Sequence, residues 1–216
     1  MKTNDSKSAK EVSVGGLAGI IKSEGAEHSS LNNIQCDDIS ILYGDTLFSN
    51  CHIGGIIGGL TNRDGYLEVS NFASYLTTEM PSYRVGVYYF GAFGDILTTQ
   101  NGQSDLSNGF SKLSIDKKDQ GKYGYSNYVA EWYPIAGYLS TLKNTPSYNF
   151  KNLFGFVVQT DEATNEQQRF TQLYVTRPPS TLYTENNCKG CEALPENHGF
   201  DANIWNLSDL SKPKLK

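Results

Sequence analysis

The chain has 216 residues, of which 38% are hydrophobic and 19% are charged, and its formal net charge is −5. No apolar run approaches the roughly 18 residues of a transmembrane helix, and no apolar segment follows Met1, so we expect neither membrane insertion nor a secretory signal. The acidic balance argues against nucleic acid as a partner, and 12% aromatic residues argue against a disordered chain. These figures leave one medium-sized globular or repeat domain.

The residue types favour β-structure. The chain contains 21 Gly, 14 Tyr and 10 Phe but only 2 Met. Aromatic and β-branched side chains suit the pleated surface of a strand, and Gly and Asn suit the turns between strands. No stretch of twelve residues combines helical apolar spacing with good caps. We therefore predict an all-β fold built from many short strands.

Two short signals recur along the first 155 residues. The first is a glycine that follows a large apolar residue by two positions, as in Val14–Gly19 and Ile53–Gly58, with looser copies that close at Gly91, Gly137 and Gly155. The closing glycines are 39, 33, 46 and 18 residues apart. These intervals are near one or two multiples of a unit of about twenty residues, and the longest of them requires an insertion.

The second signal is the dipeptide Ser-Asn. It occurs at 49–50, 70–71, 107–108 and 126–127, with Asn-to-Asn intervals of 21, 37 and 19 residues. A unit of this length is too short for a pair of helices and matches one coil of a β-solenoid. The alternative interpretation is that short motifs recur by chance in a β-sandwich rich in Gly and Ser.

The repeat predicts a right-handed parallel β-helix, or β-solenoid, with coils of about 20 residues. In such a fold inward side chains stack on the same residue type one coil above, so apolar residues and Asn form ladders. We assign residues 1–12 to a disordered or artificial N-terminus and 13–160 to the degenerate solenoid. Residues 161–216 would supply the last strands, a capping segment from 176 onward and an exit tail.

The cap is expected because an open end of a solenoid exposes unpaired strand edges and apolar surface. Phe200, Ile204 and Trp205 are the residues that we expect to cover the last coil. The abrupt entry into the motif after the first polar residues suggests that the chain is one segment of a longer protein.

The pattern over residues 13–60 resembles the GLUG motif of large bacterial surface and secreted proteins, including filamentous-haemagglutinin-like adhesins and the immunoglobulin-A peptidase family. Residues 67–155 match loosely, because Val87-Tyr88 and Tyr133-Pro134 stand where the motif has paired glycines. The segment 199–207 resembles the sequence that closes GLUG arrays. The resemblance implies a β-helical stalk or display region. No H-E-x-x-H metal motif is present, so the peptidase activity of that family is not carried over.

The sequence contains four cysteines, and two of them are spaced closely enough to form a local site. Cys188 and Cys191 have C-x-x-C spacing, for which we favour a local disulfide. The alternatives are a zinc site, with His198 as a third ligand and no fourth nearby, and a catalytic dithiol. Cys36 and Cys51 lie in alternating apolar segments and are expected to be buried free thiols. The sequence predicts no metal and no cofactor.

Acidic residues offer little support for catalysis. Asp37, Asp38, Asp116 and Asp119 come nearest to an acid cluster, but glycoside hydrolysis needs two carboxyls at a defined separation. We interpret all four as solvated turn residues and assign no catalytic residue.

Aromatic residues are the more suggestive feature. Exposed Tyr and Trp provide flat amphipathic contact area that suits sugars or proteins, and core stacking is the alternative role. The candidate binding residues are Tyr125, Tyr128, Trp132, Tyr133 and Tyr138.

These observations predict a non-enzymatic β-solenoid segment of a bacterial cell-surface or secreted protein. Its role would be adhesin-like binding and display, or that of a stalk, with host or surface glycans or proteins as partners. The alternative is a carbohydrate-active β-helix domain that binds or degrades a polysaccharide.

Overall fold

The computed structural model describes residues 11–25, 27–41, 50–79, 86–99, 101–117, 128–141, 147–161, 166–170 and 193–216. Within these ranges the chain forms strands and turns, and it contains no helix long and apolar enough to cross a membrane. The strands are β1 (Glu11–Gly15), β2 (Ala18–Glu24), β3 (His28–Ile41), β4 (Asn50–Arg63), β5 (Tyr66–Glu79), β6 (Gly86–Thr98), β7 (Gln103–Lys117), β8 (Tyr128–Trp132), β9 (Ala136–Thr141), β10 (Ser147–Asp161), β11 (Glu166–Phe170), β12 (Trp205–Asn206) and β13 (Lys214–Leu215).

Two large sheets contain most of these strands. Sheet A has the order β1-β4-β6-β8, with β2 also on β4 and β9 also on β6, and sheet B has the order β11-β10-β7-β5-β3. All pairs in both sheets are parallel except β10 with β11, and β12 and β13 form a separate antiparallel pair. The predicted all-β class is confirmed, and the parallel pairing excludes an antiparallel β-sandwich.

The chain alternates between the two sheets. We call each sheet A layer with the sheet B strand that follows it a rung: β1, β2 and β3 form the first rung, β4 and β5 the second, β6 and β7 the third, and β8, β9 and β10 the fourth. Register partners in successive rungs are 36 to 44 residues apart. The predicted coil of about 20 residues is therefore wrong by a factor of about two, because one rung contains two long strands.

Like side chains stack from rung to rung, as the sequence predicts. In sheet B Leu31, Val69, Leu106 and Phe150 are successive register partners, and the inner members are fully buried. Alternation produces this ladder, since inward residues such as Leu67 and Val69 flank outward polar residues. The core lies between the two sheets and includes side chains from both.

Each sheet A layer bends sharply at the glycine motif, and we call this the glycine bend. Gly15, Gly54 and Gly91 are register partners on one side of it. A Cβ on Gly94, on the other side, would overlap the backbone nitrogen of Ile53 in the previous rung. The motif therefore marks a place where backbone packs on backbone and no side chain fits.

The register changes how the glycines align. Gly19, Gly58, Gly94 and Gly137 are equivalent, because the residues before them, Ala18, Ile57, Phe93 and Ala136, are register partners. Gly91, which the repeat spacing predicts to be in this series, pairs instead with Gly54 on the other side of the bend. Gly155 belongs to sheet B, where it pairs with Ser111, so it is not a copy of the motif.

Sheet B bends at an asparagine in every rung, and we call this the asparagine bend. Asn33, Asn71, Asn108 and Asn152 occupy equivalent positions and have φ values between 51° and 54°. Asn tolerates this left-handed conformation better than most residues. The amides form a ladder, since Asn152 donates to Asn108 (3.0 Å), Asn108 to Asn71 (3.1 Å) and Asn71 to Asn32 (2.9 Å).

The Asn ladder confirms the stacking that the sequence predicted for two of the four Ser-Asn dipeptides. Asn50 instead begins β4, in the other sheet, and residues 126–127 lie outside the described residues.

Residues 193–216, which we call the C-terminal segment, lie across the outer face of sheet B. Phe200 and Trp205 are buried there against a face that includes Phe110 and Phe156. Further contacts reach the first rung, where the Leu215 N–H donates to Gln35 Oε1. This placement differs from the predicted cap over the last coil, and Ile204 is 37% exposed. β1 begins at Glu11, two residues before the predicted start of the repeat.

Candidate functional site

The outer side of the glycine bend is concave. The strand segments before and after the bend, which we call its two arms, turn their outward side chains toward each other. His52 before the bend lies in the second rung, and its Nδ1 is 3.5 Å from Asp95 Oδ2, which lies after the bend in the third rung. The same diagonal contact repeats one rung later, where the rings of Tyr89 and Tyr138 are 4.8 Å apart.

We call each such pair of facing positions, one before the bend and one after it in the next rung, a crossing. The crossing between the first and second rungs has small residues at both positions. Ser13 is the register partner of His52, and Gly59 is the partner of Asp95. A Cβ placed on Gly59 would lie 3.5 Å from Ser13 Oγ and 3.0 Å from Asp95 Oδ1. Where the next two crossings hold a His–Asp contact and a Tyr–Tyr contact, this one leaves space.

That space is a cavity of about 340 Å³, which we call the outer pocket. Ile20 precedes Gly59 in its ladder and Asp95 follows it, so the missing side chain of Gly59 opens the pocket between its neighbours. The lining residues are Ser13, Ile20, Lys22, Gly59, Thr61, Arg63, Asp95 and Leu97.

The charges of the outer pocket are spread along the strands. Asp95 lies nearest the bend, and its side chain is 20% exposed beside the buried His52. Lys22 and Arg63 lie farther from the bend, and Arg63 Nη1 is 3.8 Å from Glu24 Oε1 in an exposed ion pair. His52 also stacks on Tyr89, with ring centroids 5.2 Å apart, so the aromatic row fixes the side chain next to Asp95.

A second cavity of about 340 Å³ lies between sheet B and the C-terminal segment. Its polar groups are largely used within the protein. The Tyr75 hydroxyl donates to the Pro213 carbonyl (2.6 Å), and burial raises the pKa of that phenol. Lys212 lies over the Tyr75 ring and 3.7 Å from Asp37 Oδ1. Hydrogen bonds from Ser211 lower the pKa of the exposed Asp209.

The five predicted aromatic residues have different outcomes. Tyr138 lines the concave side of the glycine bend through its contact with Tyr89. Tyr133 lies within the bend, half-buried, and its N–H donates to the Phe90 carbonyl (3.1 Å). Tyr128 and Trp132 begin and end β8, of which only the backbone is described, and Tyr125 lies outside the described residues.

Cys36 and Cys51 are free and buried, as predicted. Burial raises the pKa of both thiols, that of Cys51 to about 11. The disulfide predicted for Cys188 and Cys191 falls outside the described residues. His198, the suggested third zinc ligand, is buried and its Nδ1 accepts from the Phe200 N–H (2.8 Å).

Asp37 and Asp38, two of the four acids named from the sequence, do not line the outer pocket. Asp37 is 3.7 Å from both Lys212 and Lys214, and Asp38 has a φ of 53° in the bulge of β3. Asp116 lies near the end of β7, and Asp119 is outside the described residues. Within the described ranges, no group of three or more His, Cys, Asp or Glu side chains is arranged to hold a metal ion.

Sequence reasoning missed Ser13, His52, Gly59, Tyr89 and Asp95. A signal for them exists in the glycine motif itself. Ser13, His52 and Tyr89 each precede an apolar-Gly pair. Gly59, Asp95 and Tyr138 each follow one of the equivalent glycines on the other side of the bend, Gly58, Gly94 and Gly137. Residues at these fixed positions face each other across the bend, so aligning the copies by their glycines identifies the lining.

No family model, no curated protein and no solved structure matches this chain. The resemblance to the GLUG motif stays a prediction.

Proposed function

We propose that the chain is a right-handed β-solenoid module of a bacterial cell-surface or secreted protein, and that it binds saccharides in the outer pocket. The stacking of register partners at nearly constant intervals supports the solenoid. Crossovers between parallel strands are right-handed in nearly all proteins, which supports the hand. The GLUG-like glycines at the bend agree with a surface protein of this type.

The chemistry of the outer pocket carries the saccharide proposal. Sugars need hydrogen-bonding groups for their hydroxyls and apolar surface for their C–H faces. The pocket supplies hydroxyls from Ser13 and Thr61, the carboxylate of Asp95, and aliphatic walls from Ile20 and Leu97. Its volume of about 340 Å³ lies in the range of small-ligand sites.

Binding is favoured over hydrolysis because the outer pocket contains a single carboxylate, that of Asp95, among its described lining. Glycoside hydrolysis generally requires two carboxyls on opposite sides of the scissile bond. The second cavity has two acids, Asp38 and Asp209, but the lowered pKa of Asp209 makes it a poor proton donor. We therefore rank the carbohydrate-active enzyme below the binding module.

A glycan array followed by titration calorimetry tests the proposal. We expect saturable binding of a restricted set of saccharides by the wild type. Gly59→Leu, whose side chain fills the pocket, should weaken this binding about tenfold or more. Ser30→Leu, at an exposed position of β3, is the matched control and should bind like the wild type.

Thermal unfolding of both variants shows that each is folded under the conditions of the assay. The proposal fails if no saccharide class binds the wild type, or if Gly59→Leu binds as tightly as the wild type does.

A further inference from the structure

We infer that the outer pocket takes an acidic sugar, a monosaccharide unit that carries a carboxylate, with its hydroxyls toward the glycine bend and its carboxylate toward Lys22 and Arg63. This inference rests on the proposed saccharide function and adds to it the chemical class and the orientation of the ligand.

The acidic and basic groups of the outer pocket lie at different distances from the glycine bend. Asp95 adjoins Gly59, its register partner, at the bend end, whereas Arg63 follows Gly59 by four residues along β4. At about 3.3 Å per residue, the Arg63 Cα lies about 13 Å along the strand from Gly59. The carboxylate thus lies toward the bend, and Lys22 and Arg63 lie two and four residues farther along the strands.

Lys22 and Arg63 are available to bind a ligand carboxylate. Arg63 contacts Glu24 at 3.8 Å, but both side chains are more than half exposed, and such surface pairs contribute little free energy. In the part of the chain that the structure describes, Lys22 has no carboxylate within ion-pair distance. A ligand carboxylate therefore meets one ammonium that pairs with no carboxylate of the described residues and one guanidinium that is weakly held.

The rest of the pocket lining is neutral and contains one hydroxyl and two aliphatic side chains near the cations. Thr61 lies between Gly59 and Arg63 on the strand, and Lys22 is its register partner. Leu97 is the register partner of Thr61 on its other side, and Ile20 lies two residues before Lys22 on β2. No aromatic ring is among the described lining residues, so stacking of a sugar on a ring is not the source of affinity. Hydrogen bonds and charge remain, and these interactions distinguish an acidic sugar from its neutral analogue.

The test compares methyl β-glucuronide with methyl β-glucoside, which differ at one ring substituent, in NMR titrations of the full chain. We expect the glucuronide to bind about tenfold more tightly, and the preference to shrink at about 0.5 M NaCl because salt screens exposed charges. Lys22→Met should remove most of the preference. Lys151→Met is the matched control, since Lys151 is an exposed lysine on β10, and it should keep the preference intact.

The outcomes separate this inference from the proposed function. Equal binding of the two glycosides overturns the acidic preference and leaves the saccharide function standing. If neither glycoside binds and no saccharide on the array binds, both proposals fail together. A glucuronide preference that survives in Lys22→Met and in Arg63→Gln overturns the assignment of the carboxylate to these two residues.

Discussion

Each rung bends once in each sheet, and different interactions stabilise the two bends. At the glycine bend of sheet A glycines such as Gly54 and Gly94 bring the backbone of one rung onto the backbone of the next. At the asparagine bend of sheet B side chains are present, and they form a hydrogen-bonded ladder from Asn152 to Asn32. The glycine bend depends on the close approach of two backbones, and the asparagine bend depends on hydrogen bonds between side chains.

The difference also explains where the outer pocket lies. The asparagine bend satisfies its own polar groups, and the C-terminal segment covers sheet B beyond it. The glycine bend leaves the outward residues of its two arms to fill the concave side. His52 and Tyr89 do so in the upper rungs, whereas Ser13 does not. A bend built around glycines thus provides a site whose lining varies from rung to rung.

The largest expected effect comes from adding one methyl group at the glycine bend. Gly94→Ala puts a Cβ onto backbone atoms of His52 and Ile53, which no rotamer change relieves. We expect a loss of at least about 3 kcal/mol in the free energy of unfolding, measured by urea titration. Gly59→Ala is the control, because its Cβ meets the movable carboxylate of Asp95, and it should change stability by less than about 1 kcal/mol. Similar stability for the two variants would contradict the role assigned to the bend.

A smaller loss is expected at the asparagine bend. Asn108→Ala removes the ladder bonds to Asn71 and Asn152 and places Ala at a φ of 51°. We expect a loss of about 2–3 kcal/mol in the urea-derived free energy of unfolding. Asn108→Gly tolerates the backbone conformation and should recover about 1 kcal/mol of that loss. If the Ala and Gly variants are equally stable, strain is not part of the effect.

The smallest effect concerns the buried thiols, one in each sheet. Burial raises the pKa of Cys51 from 9.0 to about 11, so folding favours the neutral thiol. This contribution to stability is fully present below about pH 9 and is lost as the pH rises toward 11. Between pH 8 and pH 10 the wild type should lose about 1 kcal/mol more than Cys51→Ala in urea unfolding.

Cys36→Ala should deviate in the same direction, because burial also raises the pKa of Cys36. Identical pH dependence in the wild type and Cys51→Ala would contradict a buried neutral thiol at that position.

The stacking of like residues was predictable from the sequence, but the length of a rung was not. Ser-Asn at 70–71 and 107–108 marks the same bend in successive rungs, whereas Asn50 starts a strand in the other sheet. The interval from Asn50 to Asn71 therefore spans half a rung. Only the strand-pairing partners show whether an interval spans half a rung or a whole rung, and a local sequence pattern does not contain that information.

The placement of the C-terminal segment was hidden for a related reason. The run from Leu153 to Val158 is apolar on both faces of β10, and such a run indicates a strand covered on both sides. The pattern shows that a cover exists, and the large apolar residues near Trp205 are suited to provide it. Which surface they cover follows from contacts between residues distant in the chain, such as Tyr75 with Pro213.

The outer pocket was the least predictable feature, because small residues create it. Tyr138 was identified from the density of aromatic residues, but its partner Tyr89 lies in another rung. Ser13 and Gly59 carry no catalytic or binding motif. Their importance comes from what their register partners His52 and Asp95 place at the same crossing one rung later.

The contact of the C-terminal segment with the first rung has a mechanical consequence. When tension is applied at Glu11 and Leu215, the load enters the molecule at β1, at the contact of Leu215 with Gln35 and, through the pairing of Leu215 with Trp205, at the C-terminal segment. The pulled strands are peeled from the edge of the stack one hydrogen bond at a time. Such a protein would come apart by peeling, first at its first rung and at the C-terminal segment, before the stack behind them is loaded.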